Sequence, residues 1–449
     1  MTILGVDVGT TGTKMGVFRS DGATLELIGK FTREYSINTY HDGLFSDIGQ
    51  EKWQQAFYEG CRAMIDLMAD IDVIALSGTT PGLTVMDAEG TALYPAILML
   101  DQRSRQQARH IIDEVGLDTL LNHTSNMPVA GGCSLASILW IKDNHPEIFK
   151  RTAKFGHSNT FMGKWMTGAF AIDPSSASLT ALYNTVKNDL TWNKDITATF
   201  GIAPECLPDV IPAYESPGRL KKSLSSELGL KKEPPVVIGG NDAVLAAFSL
   251  GVREPGEVIN VNGTCEISLV CLPKCYPSKN YNIRAHVYLD RWLTLYVMNA
   301  EGKAFEWFRK VCCSEMSQDE FYGTFLPRAV EQWLDRESGV TYVPYLMGSR
   351  YSLSALKGEF RGLTPETSRE ELLAAMVRGM AEYQREHLND ISLKVPLKKV
   401  IKVTGGAVNP TLIKAKKKWL QNCEYVFEEQ SSMKGAAMLG RWYLTGEVQ

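Results

Sequence analysis

The chain has 449 residues, a net charge of -4, 44% hydrophobic and 22% charged residues. These values are typical of a globular protein that acts on small molecules, and the slightly acidic balance argues against binding to nucleic acid or a membrane surface. One hydrophobic core rarely serves more than about 300 residues, so the length predicts two domains. We find no apolar run near the ~20 residues of a membrane span and no basic leader, which predicts a cytoplasmic protein.

The nine cysteines are an odd number spread along the chain, which predicts reduced thiols rather than a disulfide framework. Two close pairs, Cys271/Cys275 and Cys312/Cys313, lack the repeated pairs or nearby histidines of a zinc site. We therefore expect structural or surface thiols.

The first predicted element is a hairpin over residues 3–18, ILGVDVGTTGTKMGVF. Two apolar runs with strand-like spacing flank a glycine and threonine turn. Such a turn lets the backbone approach an anion and offers hydroxyls and amides to phosphate, a role for which the candidates are Gly9, Thr10, Thr11, Thr13 and Lys14. Asp7 could hold a hydrated Mg²⁺. The alternative is an ordinary turn; a P-loop is excluded because Lys14 is followed by Met15 and a second strand.

A third strand over 26–35, a helix over 50–68 and a buried strand over 73–76 follow the hairpin. The last of these ends in the polar loop Ser77–Gly82, which contains Thr80. Open α/β sheets commonly bind ligands at the carboxyl ends of their strands, so this loop is a candidate binding segment.

Two further strands, over 83–87 and 96–100, precede the sequence Asp101-Gln102-Arg103. Asp101 and Arg103 could hydrogen-bond a polyol. The alternative, which the local sequence favours, is a surface turn that opens a helix over 105–115.

A strand over 236–238 leads into Gly239-Gly240-Asn241-Asp242 and then into an apolar helix over 244–250. Asp242 thus occupies a strand-to-helix turn, a position that projects a carboxylate into a cleft. The alternative is a helix N-cap, for which Asp is a leading choice. A glycine pair is a costly way to build only a cap, and this favours the functional interpretation.

Beyond the predicted domain junction at 251–256, the sequence again predicts two strands joined by a polar turn with glycine and threonine. Strands over 257–261 and 265–272 flank the small polar turn Asn262-Gly263-Thr264, so Gly263 and Thr264 are candidates for a second phosphate-binding turn. No tandem period is visible, and the similarity is structural rather than a sequence repeat.

A strand over 400–403 feeds the sequence TGGAVNP at 404–410 and a helix over 412–420. Bare backbone at Gly405 and Gly406 could lie against a ring or a ribose phosphate, with Asn409 beside it. The four lysines of the following helix, at 414 and 416–418, are interpreted as a solvated face. A small-residue helix over 431–443 is expected to pack closely on its neighbours.

Taken together, these motifs resemble those of the FGGY carbohydrate kinases, within the actin/Hsp70/sugar-kinase superfamily. The matching segments are DVGTTGTK at 7–14, GGNDA at 239–243, NGT at 262–264 and TGGAVNP at 404–410. Two longer family signatures correspond to 132–144 and 358–377. The first departs at Ser137, where the family usually has lysine, and the second ends in Arg378, where an acidic residue is usual.

The resemblance implies an α/β fold of two ribonuclease-H-like (actin-like ATPase) domains with a central cleft. Residues 1–252 would form a sugar-binding domain with the first phosphate motif and the catalytic aspartate, and 253–449 a nucleotide-binding domain. The implied reaction is transfer of the γ-phosphoryl group of ATP, with Mg²⁺, to a hydroxyl of a small sugar or polyol, as in xylulokinase-like pentulose and hexulose kinases.

The resemblance also implies roles for individual residues. Asp242 would be the general base and lie near the metal, and Asp7 would bind Mg²⁺ through water. The first and second turns would hold the phosphates, while Gly405, Gly406 and Asn409 would border the adenosine. The sugar would contact Asp242 and lie near a further set of residues, namely Thr80, Asp101, Arg103 and Asn159.

Two other classes remain as alternatives. An actin- or Hsp70-like ATPase without a sugar substrate could share the paired phosphate hairpins. A catalytically silent sensor could bind sugar and nucleotide without turnover. The sequence leaves the oligomeric state open, with a homodimer as the general prior.

Overall fold

The computed structural model describes residues 1–21, 24–263, 265–354, 356–420, 423–427 and 431–448. Its strands, in chain order, are β1 (Thr2–Val8), β2 (Gly12–Ser20), β3 (Leu25–Glu34), β4 (Asn38–Tyr40), β5 (Phe45–Ile48), β6 (Val73–Gly78), β7 (Gly82–Met86), β8 (Ala92–Leu98), β9 (Lys154–Gly156), β10 (Ala171–Ile172), β11 (Asp209–Val210), β12 (Gly218–Arg219), β13 (Pro235–Asn241), β14 (Val258–Asn262), β15 (Glu266–Leu272), β16 (Asn282–Ala285), β17 (Trp292–Met298), β18 (Thr341–Val343), β19 (Glu359–Arg361), β20 (Val400–Thr404) and β21 (Glu424–Phe427).

The α-helices lie between these strands and after the last of them. In chain order they are α1 (Glu51–Ala63), α2 (Ile65–Met68), α3 (Arg105–Val115), α4 (Leu117–Thr124), α5 (Ser134–Asn144), α6 (Pro146–Arg151), α7 (Ser158–Thr167), α8 (Pro174–Ala177), α9 (Lys194–Thr199), α10 (Lys222–Glu227), α11 (Asp242–Ser249), α12 (Gly302–Cys312), α13 (Gln318–Glu320), α14 (Leu326–Trp333), α15 (Arg369–Ser392), α16 (Pro410–Leu420) and α17 (Ser432–Thr445).

The first large sheet has the strand order β12-β13-β6-β1-β2-β3. Strands β1, β2 and β3 form an antiparallel meander, in which Asp7 lies opposite Lys14. Strands β6 and β13 then extend the sheet parallel to β1. The hairpin predicted over residues 3–18 and the third strand after it are confirmed.

The second large sheet repeats this layout, with the order β16-β17-β15-β14-β20-β21. Strands β14, β15 and β17 are antiparallel neighbours, and β20 and β21 run parallel to β14. The predicted second hairpin is confirmed. Two sheets with three meander strands followed by two parallel strands agree with the predicted pair of ribonuclease-H-like units.

Strand β1 shows how the sequence directs its side chains to two different cores. Successive strand residues point to opposite faces. Leu4, Val6 and Val8 belong to a core that includes the α1 aromatics, whereas Ile3 belongs to a core shared with α11 and α17. Asp7 is four residues after Ile3 on the same strand, so it points to the same face of the sheet, the face that packs against α11 and α17.

Helices α11 and α17 pack against each other between the two large sheets, and their core includes residues of both, such as Val73 from β6 and Ile259 from β14. Small residues allow this close packing. A Cβ on Gly435 would lie 2.2 Å from the carbonyl oxygen of Leu245, and one on Gly5 would lie 2.4 Å from that of Met433. The predicted close packing of the last helix is confirmed.

Some predicted boundaries differ from the structure. The helix predicted over residues 50–68 is divided at Met64 into α1 and α2, and the helix predicted over 412–420 begins two residues earlier, at Pro410. Of the helices in the described part of the chain, none combines the length and the apolarity that crossing a bilayer requires. The boundary predicted near residue 252 falls between α11 and β14 and stays a prediction.

Candidate active site

Asp7 lies near the carboxyl end of β1, and only 7% of its surface is exposed. Strand β6 is parallel to β1 and places Ser77 beside it. The Ser77 hydroxyl donates a hydrogen bond of 2.8 Å to Oδ1 of Asp7. This bond orients the carboxylate at the edge of the sheet.

The turn between β1 and β2 is closed by hydrogen bonds. The Gly9 amide donates to the Gly12 carbonyl at 2.9 Å, and the Tyr35 hydroxyl donates to the Gly9 carbonyl at 2.7 Å. The Thr10 and Thr79 hydroxyl oxygens are 2.8 Å apart, and Thr11 at the tip is exposed. A turn held in this way presents its remaining amides with little conformational freedom to lose.

Thr13 and Lys14 point to opposite sides of β2. Thr13 is fully buried, with its hydroxyl oxygen 3.2 Å from that of Tyr35, whereas Lys14 is exposed. The geometry therefore gives Thr13 a supporting contact beneath the turn and leaves the Lys14 ammonium accessible to a ligand.

Asp242 is the first residue of α11 and follows an irregularity in β13. Gly239 has a φ of +66°, and a Cβ there would lie 1.5 Å from the carbonyl oxygen of Leu76, so only glycine fits. The helix cap is Asn241, whose Oδ1 accepts a hydrogen bond of 3.2 Å from the Val244 amide. The cap role proposed as the alternative for Asp242 therefore belongs to its neighbour.

Two hydrogen bonds fix one oxygen of the Asp242 carboxylate. Its Oδ1 accepts from the Ala243 amide at 2.7 Å and from Nδ2 of Asn241 at 2.8 Å. Burial, and next to it the negative charge of Asp7, raise the pKa of Asp242 to about 6, while Arg284 acts in the opposite direction. A carboxylate with a pKa near 6 is a more effective proton acceptor at neutral pH than an ordinary aspartate.

Thr80 and Asn159 lie beside this turn and are both fully buried. The Thr80 hydroxyl oxygen is 2.6 Å from Nδ2 of Asn241 and accepts its hydrogen bond. Nδ2 of Asn159 donates to the carbonyls of Ile238 and Gly240 at 3.0 and 3.3 Å. Asn159 thereby fixes the end of β13, which directly precedes Asp242.

Asp101 and Arg103 belong to a buried network of hydrogen bonds and ion pairs. Oδ2 of Asp101 accepts from the Ser46 amide at 2.7 Å and from Nε of Arg103 at 2.8 Å, and Nη2 of Arg103 donates to Asp47 at 2.8 Å. The guanidinium carbon also lies 4.3 Å from the centre of the Phe45 ring. The turn opens a helix at Arg105 as predicted, but the prediction that it lies on the surface is wrong, and these contacts favour structural support over direct polyol binding.

The second hairpin turn is tied to the start of α12. The Gly263 amide donates to the Cys265 carbonyl at 3.0 Å, and the Gly302 amide donates to the Gly263 carbonyl at 3.1 Å. Nδ2 of Asn262 donates to Glu301 at 2.7 Å. Thr264, the other residue predicted to bind phosphate here, lies outside the described residues.

The Gly405 turn rests on the second hairpin. Gly405 has a φ of +108°, and a Cβ there would lie 2.1 Å from the carbonyl oxygen of Asn262, which also accepts from the Ala407 amide at 3.2 Å. A Cβ on Gly406 would meet open space. Oδ1 of Asn409 accepts from the Thr411 amide at 2.8 Å as α16 begins. The structure thus brings the predicted second phosphate turn and the predicted adenosine turn together.

One of the four α16 lysines is not solvated, contrary to the interpretation of the helix face. Lys416 is buried, and its Nζ lies 2.7 Å from Glu266 and 3.6 Å from Glu301. Burial and the neighbouring charge of Glu266 raise the pKa of Glu301 to about 7. Leu412, Lys416 and Leu420 are spaced four residues apart, so they share the core face of the helix, and that spacing was the available signal.

Sequence reasoning missed two polar residues that act on Asp242, Asn241 and Arg284, and a third, Arg350, whose charge acts on Arg284. Nη1 of Arg284, from β16, donates to Oδ1 of Asn241. Arg350 donates from Nε to Asn299 at 2.8 Å, and its Nη2 lies 3.9 Å from Sδ of Met99. Asn241 lies within the GGNDA motif, but no local pattern distinguishes the two arginines, because their position depends on contacts between distant segments.

Two similar sheets that each contribute a glycine turn, with a pair of carboxylates near the first turn, are the architecture of an actin-like ATPase fold suited to phosphoryl transfer. The model of the FGGY family of carbohydrate kinases, N-terminal domain, matches residues 2–249. The chain belongs to the FGGY family of carbohydrate kinases. The predicted family, fold class and enzyme class are thus confirmed.

Individual relatives cover nearly the whole chain. A xylulose kinase from Staphylococcus xylosus is 26% identical over 99% of this chain and 92% of its own length. A gluconokinase from Bacillus subtilis is 24% identical over 99% of this chain and 88% of its own. The crystal structure of xylulose kinase from Rhodospirillum rubrum superposes with a TM-score of 0.90 at 19% identity, covering 100% of this chain and 91% of that one, and so shares the fold.

Proposed function

We propose that this kinase transfers the γ-phosphoryl group of ATP to a hydroxyl of a small sugar or polyol, a pentulose or hexulose in first place, with Asp242 as general base. The observation that supports this most strongly is the Asp242 carboxylate, which is fixed through Oδ1 at the start of α11, has a raised pKa and lies near Asp7. The name xylulose kinase, which the relatives from Staphylococcus xylosus and Bacillus subtilis carry, supports the acceptor class.

Phosphoryl transfer needs positioning and charge neutralisation more than covalent participation by the protein. Because Oδ1 of Asp242 already accepts two hydrogen bonds, Oδ2 is the atom that receives the proton of the acceptor hydroxyl. Asn241, held by Thr80 and by the start of α11, keeps this carboxylate in one orientation. Asp101, Arg103 and Asn159 support the acceptor side without direct contact.

The nucleotide lies between the two hairpin turns in this proposal. Amides of the first turn, together with Thr10, Thr11 and the exposed Lys14, bind phosphate from one side. Gly263 and the adjoining Thr264 bind it from the other side, with Gly302 bonded to the Gly263 carbonyl. Gly405, Gly406 and Asn409 border the adenosine.

Asp7 and Asp242 are suited to Mg²⁺, although within the described ranges no group of three or more acidic, histidine or cysteine side chains could hold a metal ion. Protein sites for Mg²⁺ commonly use one or two carboxylates, several waters and substrate phosphates, so a pair is sufficient. Asp7 would hold the hydrated ion, with Asp242 beside it. When bound, the ion neutralises charge on the transferring group.

We further propose that residues 1–252 bind the acceptor and 253–449 bind the nucleotide. The helix pair α11 and α17 lies between the two sheets and links the two parts. Approach of the parts around the substrates would exclude water and limit hydrolysis of ATP. The cytoplasmic location and a homodimer stay predictions.

The test is ADP release from ATP and Mg²⁺ with a panel of pentuloses, hexuloses, polyols and aldonates. We expect release that depends on the acceptor and falls sharply in Asp242→Asn. ADP release that is unchanged by every acceptor would favour an ATPase, and binding of acceptor and ATP without release would favour a silent sensor. Either result would contradict the proposed function.

A further inference from the structure

Two carboxylates and one ammonium form a buried cluster beside the second hairpin turn. Nζ of Lys416 lies 2.7 Å from Oε1 of Glu266 and 3.6 Å from Oε1 of Glu301, and none of the three residues is more than 3% exposed. With both carboxylates ionised, the cluster holds one more negative charge than positive charge. A buried charge without its own partner is costly, and a carboxyl group in that position takes up a proton instead.

Of the two carboxylates, Glu301 has the weaker support for its charge. Oε1 of Glu266 accepts from Lys416 and from Nδ2 of Asn260, both at 2.7 Å. Oε1 of Glu301 is too far from the ammonium for a hydrogen bond and, among the described residues, accepts only from Nδ2 of Asn262, at 2.7 Å. Burial and the charge of Glu266 raise the pKa of Glu301 to about 7. Glu266 therefore keeps the charge that pairs with Lys416, and Glu301 is the group that can become neutral.

One further titratable group, the thiol of Cys265, lies near Glu301. Burial raises the pKa of this thiol, so it is neutral at physiological pH. Arg350 and Asp242 also act on the thiol, but the largest charge effects on Glu301 come from the other two members of the cluster. The proton balance of Glu301 is therefore set within the cluster.

The pairing of Asn262 with Glu301 is half complete. Nδ2 of Asn262 donates to Oε1 of Glu301, while Oδ1 of Asn262 and Oε2 of Glu301 are both buried and bond to nothing in the described part of the chain. A primary amide and a carboxylic acid form two parallel hydrogen bonds, whereas an amide and a carboxylate form only the bond from the N–H group. The second bond would join the two oxygens that lack a partner, and it requires a proton on Oε2.

This pair lies where both nucleotide-facing turns meet. Asn262 begins the second hairpin turn, and its carbonyl accepts from the Ala407 amide of the predicted adenosine turn at 3.2 Å. Glu301 directly precedes Gly302, whose amide donates to the Gly263 carbonyl at 3.1 Å. A negative charge on Glu301 would repel phosphates bound at these turns, and a neutral acid would not.

We propose that Glu301 is a positioning residue that carries a proton on Oε2 when ATP is bound, so that binding of ATP takes up a proton from solvent. This inference rests on the proposed function, in which these turns hold the nucleotide. The Glu301 carboxylate and one solvent proton form the neutral acid, whose O–H donates to Oδ1 of Asn262, while Glu266 stays paired with Lys416. Asn262 is then fixed by two bonds, and its turn presents its amides to phosphate in one position.

The first experiment measures the dissociation constant of Mg-ATP, without acceptor, from pH 7 to pH 9 at constant ionic strength. In wild-type protein the constant should rise at least about fivefold over this range, because ionised Glu301 must first take up a proton. Saturating ATP removes this dependence from the kcat/KM of the acceptor. A constant that does not change with pH in wild-type protein would overturn the inference and leave the kinase function intact.

Glu301→Gln is the decisive variant, because its side-chain amide can form both hydrogen bonds with Asn262 without a proton. Its dissociation constant for Mg-ATP should stay near the wild-type value at pH 7 and change less than about twofold up to pH 9. The exposed Glu320, replaced in Glu320→Gln, is the control and should keep the wild-type dependence. The same dependence in Glu301→Gln as in wild type would overturn the inference.

Proton counting tests the inference on the unaltered protein. Calorimetric titration of Mg-ATP at pH 8 in two buffers with different heats of ionisation, Tris and HEPES, gives the number of protons taken up. We expect on the order of half a proton per ATP in wild type, and uptake near zero in Glu301→Gln. No uptake in wild type would overturn the inference alone. No binding of ATP at any pH would contradict the proposed function and this inference with it.

Glu266→Gln separates the charge effect from a merely structural one. Without this negative neighbour the pKa of Glu301 falls, so the loss of ATP affinity with rising pH should begin about one pH unit lower than in wild type. A merely structural role of Glu266 would weaken binding equally at every pH. A decline that begins at the wild-type pH would contradict the assignment of the proton to this cluster.

Discussion

The carboxylate of Asp7 lies close enough to that of Asp242 to raise its pKa, although the two residues come from the first strand of the chain and from the start of α11. Parallel strands β1, β6 and β13 end at the same edge of the first sheet, and this brings the two side chains together. Two like charges held near each other favour a bound cation and make one of them a better proton acceptor.

Asp242→Asn tests the base directly. Loss of a positioned general base typically costs about 10²–10⁴-fold in rate, so kcat in the presence of the best acceptor should fall within that range. The asparagine keeps the size of the side chain and can still accept from the Ala243 amide. A folded variant with near-normal kcat would contradict the assignment.

The same substitution should stabilise the protein. The pKa of Asp242 is higher in the folded state, about 6, than its ordinary value, so the folded state binds more protons between these pH values. The ionised carboxylate therefore destabilises the fold above pH 6, and this cost disappears as the pH falls toward 4. At pH 7 Asp242→Asn should raise the free energy of unfolding by on the order of 2 kcal/mol, as measured by denaturant titration. The exposed Asp335→Asn is the control.

The rate should depend on pH through the same group. Because Asp242 must be ionised to accept a proton, kcat/KM should rise tenfold per pH unit below about pH 6 and level off above it. Asp7→Asn removes the negative neighbour, and the acidic limb of its residual activity should move to lower pH. Glu301 has a raised pKa of about 7, so Glu301→Gln is needed as a control. A limb that disappears in Glu301→Gln would assign the titration to the nucleotide side.

Asp7→Ala should weaken the use of Mg-ATP while leaving binding of the acceptor nearly unchanged. If Asp7 holds hydrated Mg²⁺, its loss should raise the KM for Mg-ATP at least tenfold and leave the dissociation constant of the acceptor within about threefold. Ser77→Ala, which removes only the hydrogen bond to Oδ1, should have a smaller effect in the same direction. Equal losses of nucleotide and acceptor binding, measured separately by calorimetry, would count against this division.

The sequence was informative where function depends on local backbone. The turns at 9–12 and 262–263, the strand-to-helix turn at Asp242 and the glycine pair at 405–406 are each visible as glycine and hydroxyl residues between apolar runs. Their positions in the structure agree with those patterns because a turn is determined by neighbouring residues.

The sequence was less informative where the burial and position of a side chain depend on residues far away in the chain. Asp101 and Arg103 look like polar turn residues, but Ser46 and Asp47 bury them. Arg284 is one charge in a short strand, and nothing near it in sequence shows that it reaches Asn241. Long-range contacts of this kind leave no periodicity or motif to recognise.

Lys416 offers a test of a buried charge beside the second hairpin. In Lys416→Met the carboxylates of Glu266 and Glu301 lose their cation, and breaking such a buried pair costs about 3–5 kcal/mol. Denaturant titration should show this loss. The combined change of Lys416→Met, Glu266→Gln and Glu301→Gln should recover much of it, because no unpaired charge then remains.

Lys417 is the matched control for that experiment, since it is the next residue of α16 and is exposed. Lys417→Met should change the free energy of unfolding by less than about 0.5 kcal/mol. A loss in Lys416→Met no larger than that in Lys417→Met would show that the ion pairs at 2.7 and 3.6 Å contribute nothing.

The neighbouring glycines 405 and 406 distinguish a structural role from a nucleotide-binding role. Gly405→Ala places a Cβ 2.1 Å from the Asn262 carbonyl oxygen at a φ of +108°, so the turn must shift at a cost of about 1–3 kcal/mol, and Tm should fall. In Gly406→Ala the new methyl meets open space, so Tm should stay within about 1 °C of wild type. If adenosine lies against this turn, Gly406→Ala should nevertheless raise the KM for ATP several-fold and leave that for the acceptor unchanged. An unaltered KM for ATP in Gly406→Ala, with reduced Tm in Gly405→Ala, would give the turn a structural role only.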